Sequence, residues 1–273
     1  MGDAKTALDL SGFSRVDATG ASDRLVSYLE GAAVTLGQLR ALRLALLRLT
    51  PGARAIDVGC GTGDAVRELA DLAGPQGRAL GVDLSEAMIA EARQRHGDSS
   101  SPIEFKVADA RQLGFPDNHF DGCTAERLFV HLDEPARAIA EMARITRPGG
   151  RIVISEPDLD TMAIDTADRT AVRAVCRAFA DQVRNGLAGR QLYRLMLDGG
   201  LDEVAVHPHP VIVNGWAAMN TLFPFEHFAG IAVAQGALSQ ESAAALCADL
   251  RARDAAGRFF GCYVVFVVAA RKP

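Results

Sequence analysis

The chain has 273 residues, 49% of them apolar, which is enough for one large α/β domain or two small ones around a substantial core and argues against a disordered chain. A net charge of −5, with three lysines against twenty-six arginines and no basic cluster, gives no electrostatic footprint for a nucleic acid and favours a small-molecule partner. The cysteines Cys60, Cys123, Cys176, Cys247 and Cys262 stand far apart without a C-x-x-C pair, so they suggest buried thiols rather than a disulfide framework or a zinc knuckle.

From about residue 36, "LGQLRALRLALLRL" places Leu36, Leu39, Leu42, Leu46 and Leu49 at helical spacing, with Arg40, Arg43 and Arg48 around the other side, and Pro51-Gly52 stops it. Then come "RAIDVG" as a short buried strand, "DAVRELADLAG" as a helix closed by Gly74, and "GRALGVDLS" as a second strand. "SEAMIAEARQRHG" is a second helix, with Ser85 as its N-cap and Glu86 in its first turn. The alternation continues with "IEFKVADA" and "HFDGCTAE" as strands, "EPARAIAEMARITRPGG" as a helix ending in Pro-Gly-Gly, and "RIVISEPD" as strand five. Strands separated by amphipathic helices imply right-handed crossovers and a mostly parallel sheet.

Beyond residue 158, "TAVRAVCRAFADQVR" reads as a helix and "EVAVHPHPVIV" as a strand. Residues 215–260 separate that strand from the last, "CYVVFVVAA", and read as a helical insertion over the sheet edge, with Ser239 capping one helix. The final apolar run is about half the length needed to cross a bilayer, and the N-terminus lacks a basic region followed by an apolar one. A cytoplasmic protein without a membrane partner is expected. Residues 1–50 are expected to form an N-terminal helical lid segment, and residues 51–273 the main domain.

"AIDVGCGTGD" puts an acid two places before Gly59, Gly61 and Gly63, at the turn from strand one into a helix. Glycines there let backbone N–H groups approach a ligand closely. A dinucleotide site needs G-x-G-x-x-G, but here Asp64 replaces the third glycine, and Asp57 adds a second negative charge beside any phosphate. These acids suit a ligand with an ammonium group and a nucleoside but no phosphate. Further acids follow at strand ends: Asp83 in "GVDLSEAMI" and Asp109 in "KVADARQL".

With this motif series the chain resembles the class I S-adenosylmethionine-dependent methyltransferases of the small-molecule type, over roughly residues 50–155 and more weakly in "RQLYRLMLDGGLDEVAV". The resemblance implies a Rossmann-like α/β fold with a seven-stranded sheet of order 3-2-1-4-5-7-6, helices on both faces and a helical insertion before the last strand. It implies S-adenosylmethionine as cofactor, leaving S-adenosylhomocysteine. Asp57 would order the loop and attract the ammonium, with the backbone of Gly59, Cys60 and Gly61 against the methionine part and Gly63 permitting close helix packing. Asp83 would accept from both ribose hydroxyls, Asp109 from the adenine amino group; Leu84 and Met88 would touch the base, and Ala110 would offer a backbone N–H. In many relatives the N-terminal segment, here with Arg15, Asp17 and Tyr28, folds over the cofactor, which makes Tyr28 a lid contact or an ordinary core aromatic.

Methyl transfer from a sulfonium leaves a neutral thioether, so positioning dominates and a base matters only where the nucleophile carries a proton. The ends of strands four and five supply Glu126, Arg127, His131, Asp133, Glu156 and Asp158. Glu126 is preferred as base or substrate-orienting acid and His131 comes second, with Arg127 and Glu156 beside the substrate. Against this, Glu126 can simply pair with Arg127 and His131 can cap the next helix. Trp216, Met219, Phe223, Phe225, His227 and Phe228 concentrate bulk in a chain with 6% aromatics, suggesting an apolar acceptor pocket in the insertion, although a homodimer interface would use the same residues. His207 and His209 alternate onto one strand face, but no third ligand is near, so an edge strand is preferred and no metal is expected.

The expected activity is methylation of a small, partly apolar metabolite such as a quinone, polyketide or terpenoid. The rivals are a cyclisation or other non-methylating reaction on the same fold, and a cofactor-binding protein without catalysis.

Overall fold

The computed structural model describes residues 37–97 and 102–273. Leu36 and the expected lid contacts Arg15, Asp17 and Tyr28 lie outside the described residues. Among the described residues, one sheet holds β1 (Arg54–Val58), β2 (Arg78–Asp83), β3 (Ile103–Val107), β4 (Phe120–Glu126), β5 (Thr146–Ile164), β6 (Asp202–Val213) and β7 (Gly261–Arg271). Their order is β3-β2-β1-β4-β5-β7-β6, with β7 antiparallel to both neighbours and the other pairs parallel. The seven-stranded, Rossmann-like arrangement expected of the family is the one observed.

The central strands are continuous apolar runs because both of their faces are covered. Ala55, Ile56, Val58, Ala79, Val82, Cys123 and Ala125 are all buried. Helix α1 occupies 37–46, ahead of β1, and α2 (Asp64–Ala73) follows β1. The buried positions of α2, Ala65, Val66, Leu69, Ala70 and Ala73, recur at helical spacing and pack on β1, β2 and β3. Helix α3 (Glu86–His96) starts at Ser85, whose side chain accepts the Met88 N–H at 3.1 Å.

Helix α4 (Pro135–Ile145) stops earlier than the sequence suggests. Thr146 turns into β5, its hydroxyl donating to the Met142 carbonyl at 2.7 Å, so Pro148-Gly149-Gly150 belongs to the strand's entry and not to the helix end. Strand β5 also runs on past Asp158 to Ile164, because β7 continues to pair with it across a bulge between Asp158 and Ala163.

The insertion packs differently from expectation. Its helices α8 (Phe225–Ala234) and α9 (Gln240–Ala255) gather on α5 (Arg169–Gln182) instead of covering the sheet edge, with α7 (Trp216–Leu222) against α9, while α6 (Ala188–Asp198) lies on β5, β6 and β7. The reason is aromatic packing: the ring of Phe179 on α5 meets Phe223 at 4.5 Å and Phe228 at 4.9 Å, and Phe223 meets Phe225 at 5.3 Å.

Candidate active site

The β1–α2 turn is built on positive-φ backbone at Gly59, Gly61 and Gly63. It is tied to β2: the N–H groups of Gly59 and Cys60 both donate to the Val82 carbonyl, and Gly61 N–H donates to Asp83 Oδ2 at 3.0 Å. The second carboxylate oxygen of Asp83 accepts from Ser85 N–H at 3.0 Å, which aims the group. A Cβ on Gly59 would come within 3.0 Å of Leu128, so the turn lies tight against the segment after β4.

A cavity of about 470 Å³ opens at the carboxyl ends of β1, β2 and β4, the usual crevice of an open α/β sheet. One end is lined by Asp57, Gly59, Cys60, Gly61, Asp83 and Leu84, with Met88, Asp109 and Ala110 beyond. Leu84 stands 58% exposed on this wall, an apolar surface that a flat ligand would cover. Asp109 is gripped by Arg111, whose Nη2 donates to Oδ2 at 2.7 Å, and the side-chain hydrogen bonds of Arg111 hold its carboxyl below the usual range.

The other end is lined by Leu128, Val130, Leu132, Pro157, Leu159 and Phe179, together with Glu126, Arg127, His131, Asp133 and Arg184. Arg184 donates to Asp133 at this mouth. Burial pulls His131 down to about 4, helped by the positive charges of Arg127 and Arg184, so the imidazole is neutral at physiological pH. Burial pushes the Glu126 carboxyl up, but Arg43, Arg127 and Arg40 outweigh this and hold it below the ordinary value. It is an ionised acceptor and a weak base.

Several expected residues stand elsewhere. Glu156 is fully buried behind the wall: its Oε1 accepts N–H bonds from Leu128 at 2.6 Å and Phe129 at 2.7 Å, so it shapes the 3₁₀ turn Phe129–His131 and does not face a substrate. Gly63 is off the wall, and a Cβ there would meet Phe105 at 2.7 Å, which fits the close helix packing expected of it and not a cofactor contact. Phe223 and Phe225 are fully buried in the aromatic core, Trp216 is half-buried beneath Arg251, and His227 is exposed beside Phe228. None of these four lines the cavity: Phe223 packs on Phe179 of α5, Phe225 lies between Phe223 and Trp216, Trp216 sits under α9, and His227 faces outward; Phe179 is the aromatic that reaches the cavity from this cluster. Among the described residues, no group of three or more His, Cys, Asp or Glu side chains could hold a metal.

Sequence reasoning missed Arg43. The helical pattern puts it on the side away from the leucines, yet it is fully buried, with Nη1 2.6 Å from Thr124 Oγ1 and 3.3 Å from Asp57 Oδ1, and Nη2 2.8 Å from Glu126 Oε2. The acids on β1 and β4 were the available signal, since a strand-end carboxylate cluster needs a cation.

A family model described as a methyltransferase domain matches residues 56–154. The ubiquinone/menaquinone biosynthesis C-methyltransferase UbiE of Pseudomonas fluorescens (strain Pf0-1) is 30% identical over 202 residues, spanning 68% of this chain and 78% of the relative. The chain belongs to the class I S-adenosylmethionine-dependent methyltransferases. An uncharacterized 37.1 kDa protein in transposon TN4556 of Streptomyces fradiae is 35% identical over 249 residues, covering 90% of this methyltransferase-family chain and 71% of that protein. The crystal structure of the [4+2]-cyclase SpnF superposes with a TM-score of 0.52 at 25% identity, covering 86% of this chain and 80% of that one. The family fold therefore also carries a non-methylating reaction. No helix among the described residues is long and apolar enough to cross a membrane.

Proposed function

We propose that the protein methylates a carbon of a small, partly apolar acceptor, using S-adenosylmethionine. The observation that carries this reading is the division of one cavity into an acid-bearing end at β1 and β2 and an apolar end beyond β4. The acid-bearing end fits the cofactor: it offers an uncovered Leu84 for a base, two strand-end carboxylates in Asp57 and Asp83, and a glycine turn in which Asp64 stands where a dinucleotide site has its third glycine. Bound there, S-adenosylmethionine supplies an electrophilic methyl group.

The chain's own work is holding and shielding. Asp57 would hold the amino group, Gly59, Cys60 and Gly61 would lie against the amino-acid part, and Asp83 would take the ribose hydroxyls. Leu84 and Met88 would cover the base, with Asp109 and Ala110 at its polar edge, and Arg111 would share Asp109. Leu128, Leu132, Leu159 and Phe179 would seat the acceptor and exclude water, which favours a charge-neutralising step. Glu126, kept ionised by Arg43, would orient the acceptor, and neutral His131 would accept its proton. Both are weak bases, so the reading implies an acceptor whose proton is already acidic, such as a phenol or a 1,3-dicarbonyl compound. The C-methyltransferase named among the relatives supports carbon as the site. Of the expected skeletons, a quinone in its phenolic form or a polyketide meets the requirement for an acidic proton, and a terpenoid does so when it carries a phenol or 1,3-dicarbonyl group.

The test is turnover over a panel of phenolic and enolisable metabolites with labelled methyl donor. The expected result is label in the product together with S-adenosylhomocysteine. At pH 8, Glu126→Gln should keep S-adenosylhomocysteine affinity within about threefold while turnover falls by roughly 100-fold. Unchanged turnover would remove Glu126 from the mechanism. The cyclase neighbour supports a second reading, cyclisation without methyl transfer, which a rearranged product lacking label would establish.

A further inference from the structure

Arg43 is the geometric link between the two ends of the cavity. It reaches from α1 to the ends of β1 and β4, where strand register sets Asp57 beside Thr124 and places Glu126 two residues further along the same face. Thr124 Oγ1 donates its proton to the Val153 carbonyl at 2.7 Å, so toward Arg43 it acts as an acceptor at 2.6 Å. The guanidinium is thus fixed between a carboxylate at the acid-bearing end and one at the acceptor end.

The two carboxylates are not equally served. Glu126, partly exposed, takes Arg43 Nη2 at 2.8 Å and has Arg127 Nε at 3.9 Å, whereas the buried Asp57 has a share of the same guanidinium at 3.3 Å, and Arg40, one turn earlier on α1, is paired with Glu68 at 3.1 Å. A buried carboxylate so thinly paired is costly and favours a second cation.

We propose that Arg43 is a positioning residue shared by Asp57 and Glu126, so that the ligand's ammonium group completes the pairing of Asp57 and leaves the guanidinium to orient Glu126. This rests on the reading that the amino-acid end of the cofactor lies at Asp57. Arg43 thereby links occupancy at one end to the orientation of Glu126 at the other. The titration of the cluster agrees. Burial pushes Asp57 up to about 6, Arg43 pulls it down and Glu126 pushes it further up. The groups that face Asp57 are Arg43 and Arg40 from α1 and Glu126 from β4, and the buried thiols of Cys60 and Cys123 feel its charge in turn.

The experiment is calorimetric binding of S-adenosylhomocysteine, which carries the ammonium group, between pH 5 and 8. The unsubstituted protein should bind with an affinity that rises up to tenfold per pH unit below about 6 and levels above it, with a proton released on the rising limb. Arg43→Met removes the cation that lowers Asp57, so the limb should move to higher pH by roughly one unit or more; Arg43→Lys should restore it toward the original position. Glu126→Gln removes the neighbouring negative charge and should move the limb to lower pH. These opposite shifts are not produced by mere loss of packing, and Glu126→Gln carries the test if Arg43→Met fails to fold. No binding to the unsubstituted protein at any pH overturns the cofactor reading itself. Binding with a pH profile that neither Arg43→Lys nor Glu126→Gln moves, or moves in the same direction, overturns the shared guanidinium alone.

Discussion

Glu156 Oε1, midway along β5, accepts the backbone N–H of Phe129 at 2.7 Å, and this pairing holds the turn that carries His131 into the cavity. The same oxygen takes Leu128 N–H at 2.6 Å, while Oε2 receives only Val130 N–H at 3.4 Å. Burial pushes the carboxyl up to about 8 despite these donors, so at neutral pH it is largely a neutral acid. Glu156→Ala leaves the N–H groups without their acceptor and should cost roughly 3 kcal/mol in denaturant unfolding.

The same residue predicts a pH dependence. The folded state keeps the Glu156 proton up to about 8 whereas the unfolded chain releases it near 4.5, so between those values the folded state binds more protons. Its contribution to stability is complete below 4.5 and is lost as pH rises through about 8. Glu156→Gln keeps the Oε1 acceptor but cannot ionise, and should flatten the decline in a series of unfolding curves across that window.

Gly63 and Gly52 separate steric from conformational cost. Both have positive φ, but a Cβ on Gly63 would sit 2.7 Å from the Phe105 ring while one on Gly52 meets nothing within 4 Å. Gly52→Ala should cost about 1 kcal/mol and Gly63→Ala about 2–4 kcal/mol, read from denaturation midpoints.

Phe223 distinguishes core from pocket. It is fully buried against Phe179, Phe225 and Phe228, so Phe223→Ala should lower stability by about 3–5 kcal/mol. The affinity for S-adenosylhomocysteine should stay unchanged at temperatures where the variant is folded. A selective loss of ligand affinity at full stability would return this residue to the cavity wall.

Leu84 gives the converse. It is 58% exposed, so Leu84→Ala should shift stability by less than about 0.5 kcal/mol. If the base of the cofactor lies on it, the same change weakens S-adenosylhomocysteine binding by roughly fivefold, or about 1 kcal/mol. Equal affinity for the two proteins would place the base elsewhere.

The sheet, its order through the family resemblance, and the crevice at its strand ends were legible in the sequence because each signal is local. An apolar strand, a glycine turn and a following amphipathic helix are written within about a dozen neighbouring residues, and Asp57, Asp83 and Asp109 fall at strand ends on that evidence alone. What became of individual side chains was not local. Arg43 looked solvent-facing on a leucine-striped helix, but its partners lie 14, 81 and 83 residues away, and only the packing of α1 onto β1 and β4 brings them together. Glu156 had the composition of a site acid, yet backbone donors 26 to 28 residues earlier claimed it. The aromatics of the insertion were read correctly as a cluster and wrongly as a cavity wall, since apolar bulk is equally satisfied by a ligand or by a neighbouring helix, and here α5 covered them first. Sequence thus determined which groups the strand ends present, and tertiary packing decided which of them remain open to a ligand, because burial and charge pairing are set by contacts between distant segments.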